Sequence, residues 1–497
     1  MLYITILNSK LMYRSRLSKN LDAHTLGYVS SVTEDSEIFQ YDILGSQAHV
    51  VMLLENKILT KKEAAKILAA LEKLKKQKLT AKIQHEDIHE LVESLVVKKT
   101  GSHVGGKMHT ARSRNDQVSL DIRMKIRDDI NTLCSNLIEL IDTLVSIAEK
   151  NQETIMPLYT HLQQAQIGVF SHYLLAYADA LFRDLDRLYV TYGRVNESPL
   201  GSGPIGGTSL PIDRQSTAKM LGFKGLVENT IDATSGRDFV AEYVGTIAIL
   251  MTNMSRMAED FILWSSFEFS FLELSDQFSS PSSVMPQKKN PDILELIRAK
   301  TAQIIGYQTS VLSIVKGLAS GYSRDLQQIK TSIWPTSSIS ISTLFILNAM
   351  LKTMKVNKQK MRKAADSGHL IALDVAEHLV KRGIPFRTAH NIVGKLVQVA
   401  HDTNKPLVKL SIPQMKKLTK DSKISAKELH QIIQSTTLES SLQGRISLGS
   451  SGKREQERMI SVRKKKILAY RVGIKKRSNQ VDDAIQILMK KVKAIIR

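Results

Sequence analysis

Residues 279–292 read SSPSSVMPQKKNPD and set serines beside two lysines. A serine next to lysine can act as a base when the cation and nearby amide donors lower its pKa. Met285 and the prolines Pro281 and Pro286 amid the polar residues fix geometry at a conformational cost, which a plain flexible loop does not need. Residues 101–117, GSHVGGKMHTARSRNDQ, suit an anion. Gly105-Gly106 permits close backbone approach. Arg112, Ser113, Arg114, Asn115 and Asp116 then pack two guanidiniums and three small polar groups into five residues, and a guanidinium fork matches a carboxylate. The bland alternative is a basic, capped helix start. Thr160-His161, in MPLYTHLQQAQ, falls just inside a helical pattern and could hold a carboxylate or move a proton near neutral pH. A lone histidine is more often structural. His85-Glu86-Asp87-Ile88-His89 matches H-E-x-x-H, the helical zinc pair. Val92 and Leu95 stand where a glycine and a third histidine would extend it, which favours an ordinary helix start, although a distant glutamate could still complete a zinc site and leave a zinc peptidase as a rival.

These segments sit mostly in breaks between long helical patterns, as expected when loops carry function on a rigid scaffold. The breaks fall at 100–106, 198–209, 275–290 and around 317–323. Residues 61–78 place apolar side chains at 64, 67, 68, 71 and 74, with a Lys-rich outer face. Residues 117–150 continue through Leu133, Leu137, Leu140, Ile141 and Leu144 without glycine or proline, a helix of about 50 Å. The patterns over 163–192, 237–275 and 292–316 predict three more. The last opens Asn290-Pro291-Asp292, with asparagine as cap, proline at the first helical position and an acid in the first turn. Helices this long cannot each bury a face in a small monomer. The economical arrangement is a long bundle completed by other subunits. Beyond about residue 358 shorter helices, broken at Gly368, Gly383-Ile384-Pro385 and Lys405-Pro406, predict a separate C-terminal domain. The expected chain is all-α, divided at 1–111, 112–358 and 359–497.

The chain has 497 residues, about three domains' worth. Its 25 Gly, 11 Pro and 5% aromatic residues are unlike a β-sandwich, and 42% hydrophobic content excludes a disordered chain. Cys134 is the only cysteine, so no disulfide within the chain and no multi-cysteine metal site can form. No run of 18 apolar residues occurs. The stretch Met1–Leu11 lacks the basic start and long apolar run of a secretory signal, and Met12 offers an alternative start. A cytoplasmic protein is expected. The net charge is +22, of which nine Lys, six Arg and four acids in 453–497 supply +11. Those basic residues alternate with Ile, Leu and Val at helical spacing, which favours a solvated helix face over a nucleic-acid-binding tail.

Together the segments resemble one family. Ser282-Ser283-Val284-Met285-Pro286-Gln287-Lys288-Lys289-Asn290-Pro291 is similar to the S-S-x-M-P-x-K-x-N-P signature of the fumarase/aspartase superfamily. QKKNPD, HTARSRNDQ (109–117), YTHLQQAQ (159–166), GSQAH (45–49), EDIH (86–89) and YSRDLQ (322–327) resemble the argininosuccinate lyase family within it. EDIH absorbs the H-E-x-x-H match. The resemblance implies three mostly helical domains and a homotetramer whose middle domains form a 20-helix core. Each active site would be built from three chains. It implies reversible cleavage of argininosuccinate to arginine and fumarate, in arginine biosynthesis, with no metal or organic cofactor. Neither membrane nor nucleic acid is an expected partner.

By resemblance Ser282 is the general base, and Lys288 and Asn290 bind the succinyl carboxylate. His161 matches the family's catalytic histidine, with Glu295 as its orienting carboxylate. Ser113, Asn115 and Thr160 would contact the substrate, with Arg114 close by. Ser31, Tyr322, Gln327 and Lys330 would hold the arginine half, with Asp87 beside them. Two positions depart from the pattern: Pro281 stands where glycine is common, and Gly236, before Arg237, where an acid is frequent. The rivals are a superfamily relative acting on adenylosuccinate, fumarate/malate or aspartate, and a nonenzymatic use of the scaffold. Retention of Ser282, His161, Lys288 and Asn290 argues against the second.

Overall fold

A computed structural model describes residues 21–77, 85–367, 369–420 and 422–497, together with Arg16 and Lys19. The Met1–Leu11 stretch, the alternative start at Met12 and the break at Gly368 lie outside the described residues. After short helical segments within 23–38 come three longer helices: α1 (Phe39–Glu55), α2 (Lys61–Lys75) and α3 (Ile88–Thr100). They lead to α4 (Arg114–Lys150), 37 residues and about 55 Å long. Ser113 and Asp116 form a capping box that starts α4, and no glycine or proline interrupts it. By length and composition α4 could cross a membrane, but 56% of its apolar window is buried inside the structure, as in a core helix.

A hairpin of β1 (Ile155–Thr160) and β2 (Gln163–Val169) follows, then α5 (Phe170–Val195) and α6 (Asp238–Ser265). Two-residue strands β3 (Ser280–Pro281) and β4 (Lys289–Asn290) precede α7 (Asp292–Val315) and α8 (Lys330–Thr353). Short helices fill 358–443, and α9 (Lys453–Ile496) ends the chain. The bundle packs α6 along α7 and α5, and α4 along α5, α8 and α9. The mostly helical fold agrees with the expected class, and strands occur only as two-stranded pairs among the described residues.

Several sequence expectations need correction. Residues 163–169 form a strand, not the start of a helix, and Thr160-His161 sit at a hairpin turn. Pro157 is hostile to a helix interior, and the flanking Ile155, Ile167 and Val169 favour a pleated, half-buried surface. The 237–275 pattern breaks at Ser265, where the chain turns out through Ser266 and the exposed Phe267. The cap of α7 is Pro291 itself, because Asn290 is taken into the ladder with Ser280. Helix α9 does not belong with the small helices before it. One buried cluster joins residues 38–361 to Ile460, Ile467, Ile474 and Leu488, while Val375–Ile433 form a separate small core. The segments 1–111 and 112–358 share the larger cluster.

In α9, positions 460, 467, 474, 481 and 488 are all buried, a seven-residue period. That is a coiled-coil-like seam laid on the bundle. Its basic residues flank the seam. Lys464 pairs Glu149 at 2.6 Å, Arg471 pairs Glu139 at 2.7 Å and Asp142 at 2.9 Å, and Lys491 pairs Glu55 at 2.6 Å. The basic tail is thus complementary to acids on α1 and α4.

Candidate active site

A first cleft of about 170 Å3 lies where α3, α4 and the 322–327 turn converge. Asp87 caps α3 by accepting the Glu90 N–H on Oδ1 at 2.9 Å. Its Oδ2 accepts Arg114 Nη1 at 2.8 Å. Burial pushes the Asp87 carboxyl up, but the charges of His89 and Arg114, with these two hydrogen bonds, hold it below the usual carboxylate range. Tyr322 and Gln327 also line the cleft, and burial raises the Tyr322 phenol.

Behind this cleft the buried Lys330 ammonium pairs with buried Asp35. Asp35 Oδ2 also accepts the Ser31 hydroxyl at 2.7 Å and the Ile88 N–H at 3.3 Å. Ser31 and Lys330, expected at the arginine half, therefore share one counterion. Nothing in the sequence marked Asp35 except its position four residues after Ser31. Arg324, in the same turn as Tyr322, was also missed. It lines the cleft and bonds Glu86 Oε2 at 3.2 Å and the Val29 carbonyl at 2.9 Å.

The start of α4 also fixes a glycine-rich loop at 201–204. Asp116 Oδ2 accepts the N–H groups of Gly201 and Gly203, each at 3.0 Å, and Oδ1 accepts the Ser113 N–H at 2.9 Å. Gly201 has φ +86°, and a Cβ there would lie 2.7 Å from Arg214 Cγ, so glycine is required. Burial lifts the Asp116 carboxyl to about 6 against the pull of those amides. Asn115 Nδ2 donates to the Pro204 carbonyl at 2.9 Å. Arg237 is buried away from the cleft lining and donates to the Thr234 and Gly236 carbonyls.

A second cleft, about 1150 Å3, is lined by Met285, Lys288, Asn290 and Glu295. Here β3 and β4 pair Ser280 with Asn290 and Pro281 with Lys289, closing a loop over 282–288. Ser282 Oγ accepts the Val284 N–H at 3.3 Å and the Met285 N–H at 3.0 Å. Two amide donors on one hydroxyl oxygen favour its ionised form. The two lysines differ. Lys289 is tied to Asp276 at 2.7 Å and to the Leu274 carbonyl. Lys288 is exposed and makes no ion pair among the described residues.

Thr160 and His161 stand apart from both clefts. His161 and Leu162 have φ +54° and +58°, the two left-handed residues of a tight hairpin turn. Neither is glycine or asparagine, so the turn carries backbone strain, and both side chains are exposed. Glu295 forms no ion pair with His161 within this chain. The structure thus brings together Ser31, Asp87, Arg114, Asn115, Tyr322, Gln327 and Lys330 at one end, and Ser282, Lys288, Asn290 and Glu295 at another. Ser113 caps α4 beside the first group, while Thr160 and His161 form a third.

The H-E-x-x-H pair does not converge. α3 begins at Ile88, so His85 lies before the helix, and His89 turns to Asp42 and Asp121 instead.

The Lyase family profile matches residues 15–306, and the profile described as Argininosuccinate lyase C-terminal matches 369–442. The Argininosuccinate lyase of Nitrosopumilus maritimus (strain SCM1) is 60% identical over 485 residues, covering 98% of this chain and 100% of that protein. The chain belongs to the argininosuccinate lyase family. Among solved structures, EDDS lyase in complex with formate superposes with TM-score 0.83 at 29% identity, over 95% of this chain and 94% of that one. Class II fumarase from Schistosoma mansoni gives TM-score 0.70 at 16% identity, over 83% and 93%, and shares the fold. Pro281 opens the serine loop. It enters the ladder opposite Lys289 with a fixed φ and no N–H to give.

Proposed function

We propose that this chain is a lyase that cleaves argininosuccinate reversibly to L-arginine and fumarate, in the service of arginine biosynthesis. The observation that carries this reading is the serine loop: Ser282 Oγ held by two amide N–H groups beside a free Lys288. As alkoxide, Ser282 takes the proton from the carbon next to one succinyl carboxylate. Lys288 and Asn290 bind that carboxylate and hold the electron pair as an aci-carboxylate. The C–N bond then breaks, the pair becomes the double bond of fumarate, and the guanidine leaves with a proton delivered through His161. Glu295 orients His161. Ser113, Arg114, Asn115 and Thr160 position the substrate, and Ser31, Asp87, Tyr322, Gln327 and Lys330 hold the arginine half.

These roles require the three groups to meet, and one chain keeps them apart. The reading is therefore a homotetramer in which three chains complete each site. Exposed Leu296, Ile305 and Leu312 on α7 and Phe345 on α8 support it, since long bundle helices bury such faces against other subunits. We read the enzyme as working in the cytoplasm, without a metal or organic cofactor.

The test mixes purified protein with argininosuccinate and excess chelator and follows fumarate by ultraviolet absorbance. Fumarate from the wild type and almost none from Ser282→Ala supports the reading. A folded tetramer that releases none overturns the substrate, and adenylosuccinate, malate and aspartate follow in turn.

A further inference from the structure

His89 lines the first cleft but has no part in the mechanism above. It is 4% exposed, two residues from Asp87 on the first turn of α3. Its Nδ1 donates to Asp42 Oδ1 at 2.8 Å, and Asp121 Oδ2 lies 3.7 Å away. Gln117 Nε2 donates to the same Asp42 oxygen at 3.0 Å. The other ring nitrogen of His89, Nε2, is buried without a partner among the described residues. The charged and titratable groups around the ring are Asp42 from α1, Asp121 from α4, Asp87 from its own helix, Arg112 and His109 from the segment before α4, and Asp35.

We propose that His89 is a positioning residue for the arginine half: an imidazolium clamped by Asp42 beneath the cleft, whose charge holds the Asp87–Arg114 pair in its binding geometry. The inference rests on the lyase reading and deepens it. Burial works against the ring's proton, but Asp42, then Asp87 and Asp121, outweigh it and raise the pKa to about 9. Burial and Asp42 push the Asp121 carboxyl well up, and Asp42, at 2.8 Å, is the carboxylate that touches the ring. The ring is then a cation across the neutral range. Asp87, just as buried, keeps its charge because that cation and Arg114 stand beside it. Asp87 in turn fixes one arm of the Arg114 fork at 2.8 Å while Arg114 stays partly open to the cleft.

Two variants test this by steady-state kinetics and product inhibition. His89→Gln keeps a donor near Asp42 but removes the charge. Asp42→Asn keeps the ring but removes its counterion. The expected result for His89→Gln is a rise of about tenfold in KM for argininosuccinate and in the inhibition constant of arginine, with kcat and the inhibition constant of fumarate little changed. For Asp42→Asn the same weakening is expected at pH 8 and near-wild-type arginine binding at pH 6, where the ring regains its proton. Arginine inhibition unchanged in folded His89→Gln, or equal weakening of Asp42→Asn at both pH values, overturns the proposal. If His89→Gln fails to fold, the pH comparison on Asp42→Asn decides. A wild type without lyase turnover would instead be the failure of the functional reading.

Discussion

At the residue scale, the serine loop separates two neighbours that look alike in sequence. Lys289 spends its charge on Asp276 and a backbone carbonyl, and Lys288 does not. Lys288→Met is therefore expected to lower kcat by about a hundredfold or more, because a cation aimed at developing charge is lost. Lys289→Met should cost clearly less, and equal losses in parallel kinetics would count against the assignment. The Asp35–Lys330 pair makes a second prediction. Both side chains are buried, so Asp35→Ala strands an ammonium and should cost about 3–5 kcal/mol in denaturant unfolding. Loops such as 282–290 were legible because rare residue types crowd a short stretch. Asp35 was not, because its partner stands 295 residues away in the chain.

At the scale of elements, α4, α6 and α7 were legible within a few residues at their starts, from apolar periodicity and, for α7, from the Asn290-Pro291-Asp292 start signal. The hairpin was not. Its turn residues, His161 and Leu162, are ones that seldom take positive φ, so no turn signal appears, and only Pro157 argued against a helix. That turn sets an exposed histidine at the tip of the hairpin. The docking of α9 was also hidden, since a basic helix shows its purpose only beside the acids of α4. Removing residues 453–497 uncovers the seam it buries, and the truncated chain is expected to aggregate or unfold on size-exclusion chromatography. Within α9, Ile467→Ala should cost about 2–4 kcal/mol, whereas Arg471→Ala should cost under about 1 kcal/mol, its ion pairs being partly exposed. The reverse order in unfolding experiments would mean that charge, not the seam, holds α9.

At the scale of the whole molecule, two buried imidazoles tie stability to pH in opposite directions. The folded pKa of His89 is raised to about 9, so its contribution is complete below the unfolded value near 6.5 and is lost as pH rises through 9. His49 is fully buried, and burial with nearby Arg112 lowers it to about 3. Its contribution is present above 6.5 and is lost as pH falls toward 3. The gap in melting temperature between wild type and His89→Gln should therefore be widest below pH 6.5 and narrow by pH 9. A gap that does not change with pH would contradict the raised value.

The largest consequence concerns assembly. Ser282 and His161 sit in different groups of one chain, so the proposed site exists only where chains meet. The most direct test unfolds Ser282→Ala and His161→Asn together, refolds them as mixed tetramers and follows fumarate from argininosuccinate. Each variant alone should give almost none, and the mixture should regain measurable turnover, because some of its sites receive neither substitution. Mixed tetramers of the proper size that stay as inactive as their parents would contradict a site shared between chains.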